Sequence, residues 1–364
     1  MNIGIIHGFV GGGGGTEKTL LAIIELFVER DHKVTLYTFS KPSINIPGVH
    51  IKSTIPFRLP LFGLYQRYYE KNLIKQAVND DLIIQASGGL AFPIDQKKHV
   101  IVYCHNSFQN EFERNETRYQ GLWSVYYKPY AELSKNLNII IQNKNIHLIA
   151  NSNFTQSSIS KKYNKDSTVI YPPVDISEFE NVKLDKKKQV VTISRFSKEK
   201  NLNFALQVIE KVNTNYLLIG NTKTKTTELY FNQIKSKINS QKLKTKVALL
   251  KNIPRNELIN HLKTSKIYFH SSPETFGISV IEAIAAGCIP IVPDDSAHKE
   301  TVKFDQLRYS PNNVEDAAKK ISQGLSGEFD NLLNALKEPL EQFSKNAFKN
   351  NFKKYLDKEL SINV

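Results

Sequence analysis

Short apolar runs alternate along this chain with longer segments whose apolar positions recur at helical spacing. Asn2 to His7, Val34 to Phe39, Leu82 to Gln85, Val100 to Cys104 and His147 to Asn151 are rich in Ile, Val and Leu and are bounded by turn-forming or charged residues, so they read as buried strands. Between the first two, Thr16 to Arg30 carries a helical period. The alternation resumes with strands at Gln189 to Ile193, Tyr216 to Gly220, Ile267 to His270 and Ile289 to Val292. Helices are expected at Asn203 to Val212, Ile253 to Leu262 and about Gly277 to Ala286, the last stopped by Gly287. Strands that are apolar throughout, separated by helices, imply parallel sheets covered on both faces, an α/β fold. The string VIYPPVD and the charged run Lys183 to Lys188 interrupt the pattern near its middle. This predicts a first domain over 1–167, a second over 168–340 and a terminal helix over 341–364, in keeping with a length of 364 residues.

Charge narrows the partners. With a formal net charge of +14 and a pI near 9.4, the chain suits an anion: a nucleotide, a lipid phosphate, an anionic membrane surface or a nucleic acid. The two cysteines, Cys104 and Cys288, lie in or beside apolar runs and are expected to be buried free thiols in a reducing compartment. No Cys/His cluster has zinc spacing, and no Asp-x-Asp occurs. The first lysine is Lys18 and no apolar run approaches about 18 residues, so a soluble or peripheral intracellular protein is expected.

The residues that carry chemistry cluster where strands end. Gly11 to Gly15 lie between the first strand and the first helix, but fit neither G-x-G-x-x-G nor a Walker A loop, because Thr16 and Glu17 separate Gly15 from Lys18. They form a loop in which the N–H groups at Gly13, Gly14 and Gly15 can approach a phosphate or an acceptor. His105 and Asn106 follow the strand Val100 to Cys104, and Asn151 ends the strand His147 to Asn151. Ligands of open parallel sheets bind at such carboxyl ends. Arg195 and Lys200 follow another strand, a fork and a point charge suited to a diphosphate.

The segment FHSSPETFGISVIEAIAAGCIPIV places Glu274 in a loop before a helix and Glu282 within that helix. Glu282 lies among Ile281, Ala283 and Ile284, so a buried carboxylate there needs a partner. The N–H groups of Phe276, Gly277 and Ile278 fall at the helix start, which favours an anion. Three stretches admit two readings each. Pro56 to Ala77 suits a lipid-facing surface or a packed helix, and the aromatic patch Tyr119 to Tyr130 an acceptor platform or packing. The lysine-rich Lys223 to Lys251 suits a solvated face or a nucleic-acid footprint.

The Glu-x7-Glu spacing, with Phe-Gly after the first Glu and Glu-Ala-x-Ala-x-Gly at the end, resembles the motif of retaining GT-B glycosyltransferases of family 4, the glycosyl transferases group 1. GGGGTEKTL resembles the glycine loop of that family, in which Glu17 would cap the first helix; YCHNSF, NSN and YPPVD resemble further elements of it. SRFSKEK is similar to its Gly-Arg-x-x-x-x-Lys element, with Ser194 in place of Gly, and Asn221–Thr222 stand where a Gly-x-Gly is expected. The resemblance implies two Rossmann-like domains facing across a cleft and transfer of a sugar from a GDP- or UDP-sugar. Arg195, Lys200 and the helix start at Phe276, Gly277 and Ile278 would bind the diphosphate, Glu282 the ribose, and Glu274 and His105 the donor sugar. Gly13, Gly14, Gly15, Asn106 and Asn151 would border the acceptor, and no metal or other cofactor is expected. The layout is also similar to mannosyltransferases that extend lipid-linked oligosaccharides, which implies a lipid-linked glycan acceptor at the cytoplasmic face of a membrane and no nucleic acid. A GT-B nucleotide-sugar epimerase and a non-catalytic basic nucleic-acid-binding protein are the alternatives.

Overall fold

In the computed structural model, described for residues 1–11, 13–55, 66–87, 98–106, 141–180, 186–240, 243 and 245–360, the chain forms two compact units. The aromatic and basic residues before Gln66, the loop from Gly88 to Pro93, the patch Tyr119 to Tyr130 and the lysine at 183 lie outside the described residues.

The first unit holds a parallel sheet of β1 (Asn2–Ile6), β2 (Lys33–Ser40), β3 (Val49–Ile55), β4 (Leu82–Gln85), β5 (Val100–Cys104), β6 (Ile146–Ala150) and β7 (Thr168–Val169). The spatial order is β3-β2-β1-β4-β5-β6-β7, so the winding reverses between β1 and β4, where Ile3 pairs with both Val34 and Leu82. Successive side chains on a strand point to opposite faces, and both faces are buried. On one face Ile3, Ile5, Ile84, Ile101 and Ile149 pack with Leu20, Ile23 and Phe27 of α1 (Gly15–Val28). On the other, Ile6, Ile83, Val102 and Leu148 pack with Leu73, Ile74, Ile159 and Tyr163.

The second unit carries β8 (Lys187–Arg195), β9 (Asn215–Asn221), β10 (Val247–Lys251), β11 (Ser265–Phe269), β12 (Ile289–Pro293) and β13 (Arg308–Tyr309), all parallel in the order β10-β9-β8-β11-β12-β13. Here the reversal lies between β8 and β11, which brings the carboxyl ends of these two strands side by side. Three helices of this unit shape the site below: α2 (Leu202–Glu210), α3 (Arg255–Thr264) and α4 (Ile278–Ala285).

The unit boundaries are 1–173 with 345–364 for the first and 174–344 for the second, past the Ser167 break read from the sequence. The reason is β7, whose Thr168 and Val169 pair with Ile149 and Ala150 and so belong to the first sheet, ahead of the proline pair. Val174 then donates to the Phe343 carbonyl at 2.8 Å, so the chain enters and leaves the second unit side by side. The terminal helix α5 (Lys345–Glu359) belongs to the first unit. It buries Phe348, Phe352, Tyr355 and Leu356 in the same core as α1, and Lys349 pairs with Glu29 at 2.8 Å. Each of those large side chains contributes about 1.5–3 kcal/mol by leaving water. Both cysteines are free and buried. Among the described residues no helix is long and apolar enough to cross a membrane.

Candidate functional site

The tightest polar cluster is built at the carboxyl end of β11. Glu274 stands in the turn before α4, with its backbone N–H donating to Ser296 Oγ at 3.0 Å and its carbonyl accepting from the Ala297 N–H at 3.0 Å. The loop after β12 thus clamps Glu274 from behind. Gly277, the residue preceding α4, has φ 90°, a left-handed conformation that suits glycine, and a Cβ there would come within 3.3 Å of Val280. Only with that turn does the chain reverse sharply enough to present Glu274 and the first N–H groups of α4 together.

Lys200, two residues before α2, forms an ion pair with Glu274 Oε1, and His270 Nε2 lies 3.0 Å from the same oxygen. Burial by itself raises the Glu274 carboxyl, but the Lys200 charge and the His270 hydrogen bond outweigh it and hold the group well below the usual carboxylate range. Lys200 and Glu274 are 14% and 21% exposed, so a ligand can reach both without unfolding the loop. Arg195 ends β8, is 62% exposed, and pairs with Glu199 at 3.4 Å. Of the two cations expected to bind one diphosphate, Lys200 is built into the cluster and Arg195 stands in solvent. Phe276 is buried with its ring 5.4 Å from that of Phe343, while Ile278 opens the helix. The first N–H groups of a helix have no intrahelical acceptor.

Glu282, on α4, is buried and has found the partner its apolar neighbours demanded. Arg255 at the start of α3 meets it with both terminal nitrogens, Nη2 to Oε1 at 2.8 Å and Nη1 to Oε2 at 3.3 Å. The same guanidinium is anchored by Glu178, whose Oε2 accepts from Nε at 3.2 Å. The orientation of the Glu282 carboxylate is thus set by Arg255. Sequence reading missed Arg255, Glu178 and His270, whereas the stretch Ala297 to Glu300, which holds His298, was expected near the donor. For His270 a local signal existed, four residues before Glu274 at a strand end; for Arg255 there was none.

In the first unit, β1, β4, β5 and β6 are neighbours, and their carboxyl ends align His7, Ala86, His105 and Asn151. His105 Nε2 lies 3.0 Å from the Ala86 carbonyl, which can only accept, so this nitrogen carries the proton. Burial pushes the imidazole down to about 4, and it is neutral near pH 7. Asn151 Nδ2 donates to the His105 carbonyl at 3.2 Å, and Ser152 Oγ caps the following helix by accepting from Thr155 N at 3.1 Å. Asn151 thus acts on the His105 backbone. Asn106 is exposed beside it. His7, which sequence reading passed over, is also buried and lowered by that burial, with Nδ1 unpartnered among the described residues.

The glycine loop corrects its sequence reading. Glu17, the third residue of α1, reaches back so that its Oε2 accepts from Gly11 N at 2.8 Å and Gly13 N at 3.1 Å. Gly11 and Gly13 have φ values of 118° and 65°, which explains why glycine is needed there. The amides at those two positions close on an internal carboxylate, a variant of the capping box, and are not open to an external phosphate. Gly14 is the cap residue, its carbonyl accepting from Glu17 N at 3.0 Å, and Gly15 opens the helix.

Burial also pushes His298 down to about 3, with the charge of neighbouring His270 acting the same way. A histidine that stays neutral when folded but protonates near pH 6.5 when unfolded stabilises the fold above that value and loses this contribution as pH falls toward 3. Lowering the pH from 7 to 5 is therefore expected to cost about 2 kcal/mol through His298 alone. Urea unfolding at both pH values, repeated on His298→Asn, measures this contribution; an equal pH dependence in the variant would refute it.

The fold is that of solved GT-B glycosyltransferases. Sucrose-phosphate synthase from Thermosynechococcus elongatus matches with a TM-score of 0.81 at 16% sequence identity, over 99% of each chain. Anabaena HepE, solved in complex with UDP and glucose, matches with a TM-score of 0.73 at 15% identity, over 98% of this chain and 99% of its own. Family models extend the likeness to sequence: Glycosyltransferase Family 4 matches residues 13–178 and Glycosyl transferases group 1 matches residues 174–350, and the chain belongs to this family. The GDP-Man:Man(3)GlcNAc(2)-PP-Dol alpha-1,2-mannosyltransferase of Dictyostelium discoideum is 22% identical over 276 residues, covering 69% of this chain and 54% of the relative. The chain thus spans about half the length of that curated relative.

Proposed function

We propose that this protein transfers a hexosyl group, with retained anomeric configuration, from a GDP- or UDP-sugar to a saccharide carried on a lipid diphosphate. The observation that carries this reading is the Lys200–Glu274 pair at the start of α4. A cation, a carboxylate and the positive end of a helix meet there, the three things that a diphosphate joined to a polyol asks for. Lys200, Arg195 and the N–H groups of Phe276, Gly277 and Ile278 take up the negative charge that grows on the diphosphate as the bond from the sugar C1 to its oxygen breaks. Glu274 holds hydroxyls of the donor sugar, and Glu282, oriented by Arg255, those of the ribose. His105, neutral and fixed by Ala86, contacts the sugar and faces the oxocarbenium-like state with an imidazole that carries no competing charge. Gly13, Gly14, Gly15, Asn106 and Asn151 belong to the acceptor side.

The protein's own cations serve the diphosphate in this reading, so a metal ion is not required and EDTA leaves donor binding intact. The GDP-Man donor of the Dictyostelium relative favours GDP-mannose and its PP-Dol acceptor favours a lipid-linked saccharide, while the UDP complex of HepE supports UDP-sugars as the second donor class. The net charge of +14 suits peripheral association with the anionic face of a cytoplasmic membrane, testable by sedimentation with anionic liposomes at low salt.

The test is a thermal-shift panel of GDP, UDP, ADP and their sugar esters on the wild type and on Glu282→Ala. A ligand at a hundredfold excess over its Kd stabilises by about 2.7 kcal/mol. One nucleotide class is expected to raise the melting temperature of the wild type, and the variant to lose that response. A panel without any shift would remove the donor reading.

A further inference from the structure

Glu274 receives Lys200 and His270 on a single oxygen. Lys200 Nζ and His270 Nε2 converge on Oε1, and Oε2 carries no hydrogen bond among the described residues. The two partners differ in how firmly they are held. Lys200 reaches Glu274 through a long unbranched side chain from the turn before α2, whereas His270 is buried and held on several sides. Its N–H donates to the Ile291 carbonyl at 2.9 Å, and its carbonyl accepts from Tyr309 OH at 2.8 Å. Its Nδ1 lies 3.2 Å from Tyr268 OH, which is itself 2.8 Å from Ser279 Oγ in the first turn of α4. The ring also packs edge-on against His298, with centroids 5.2 Å apart. A line of polar contacts therefore runs from the start of α4 through Tyr268 and His270 to Glu274, with Ser279 in α4, Tyr268 in β11 and His270 directly after β11.

We propose that His270 is a positioning residue that keeps the Glu274 carboxylate aligned on the donor sugar once Lys200 is drawn to the diphosphate; this deepens the donor reading above and rests on it. The single positive charge of Lys200 cannot balance both a diphosphate and the Glu274 carboxylate, so an incoming diphosphate weakens its hold on Glu274. When the diphosphate engages it, Glu274 keeps the hydrogen bond from His270 at Oε1, and Oε2 accepts from a sugar hydroxyl. His270 thereby acts on the sugar half of the donor and leaves the nucleotide half to the cations and Glu282. Tyr268, held by Ser279, fixes the ring so that Nε2 stays on the carboxylate.

The affinities of GDP and GDP-mannose, measured by calorimetry, separate these roles; UDP and UDP-glucose replace them if the panel above selects uridine. In the wild type the sugar ester binds more tightly than the bare diphosphate. His270→Leu is expected to lose about tenfold or more in affinity for the sugar ester, the size of a hydrogen bond to a charged group, while GDP affinity changes less than about twofold. His270→Gln, whose amide places a donor near the position of Nε2, restores part of the loss, and Tyr268→Phe, which keeps the core filled, shows a smaller loss of the same selectivity. Equal weakening of both ligands in His270→Leu and Tyr268→Phe would mark a purely structural role and overturn the inference. A wild type that binds neither nucleotide nor nucleotide-sugar would overturn the donor reading itself, and the inference with it.

Discussion

Lys200→Met is expected to reduce sugar transfer about 10²- to 10³-fold, the effect of removing one preorganised group that faces charge developing in the transition state. The size follows from where the ammonium sits. An exposed ion pair is worth little, because water and salt screen it. Lys200 is mostly buried and faces a carboxylate whose protonation is strongly disfavoured, so its charge acts with little screening. Methionine keeps most of the volume and removes only the charge. In the proposed reaction the loss falls on the step in which the diphosphate departs, so kcat falls as well as affinity. Release of nucleotide from the donor in the absence of acceptor is a sufficient assay. Lys200→Arg provides the control, since it retains charge but spreads it over a larger, planar group. Activity within threefold of wild type in Lys200→Met would mean that the ammonium serves only to hold Glu274.

The second large effect concerns stability. Arg255→Ala removes the shared cation from Glu282, which is 6% exposed, and from Glu178. Breaking a buried pair from one side leaves an uncompensated charge and costs about 3–5 kcal/mol. Because Arg255 itself is 37% exposed, water relieves part of this, and about 2–3 kcal/mol is expected. The measurement is the shift of the urea midpoint at constant m-value. Arg255→Ala combined with Glu282→Gln is expected to recover most of the loss, since a neutral amide tolerates the site better than an unpaired carboxylate. If the single variant loses less than about 0.5 kcal/mol, which is the ordinary range for surface substitutions, the pair contributes nothing to the fold.

By itself the sequence determined the elements and their class. Apolar runs such as Val100 to Cys104 and Ile289 to Val292 could only be strands buried on both faces, and Gly277 and Gly287 bracketed the helix that carries Glu282. The spacing of Glu274 and Glu282 was legible for the same reason: both the turn and the helix are local, so their residues speak for themselves. Local reasoning also stated that Glu282 required a partner. It could not name Arg255, 27 positions away, or join Lys200 to Glu274 across 74 positions. The Lys200–Glu274 contact depends on β8 lying next to β11, and strand order is a property of the whole sheet rather than of any one segment. The glycine loop divides in the same way. Its need for glycine was readable, but that Gly11 and Gly13 give their amides to Glu17 follows from left-handed turns that folding selects. Likewise the sequence marked off a terminal helix over 341–364, and only the packed core shows Phe348 and Phe352 of α5 meeting α1 of the first unit. Short-range periodicity thus fixes which residues form each element, and burial of surfaces distant in sequence decides which functional side chains meet.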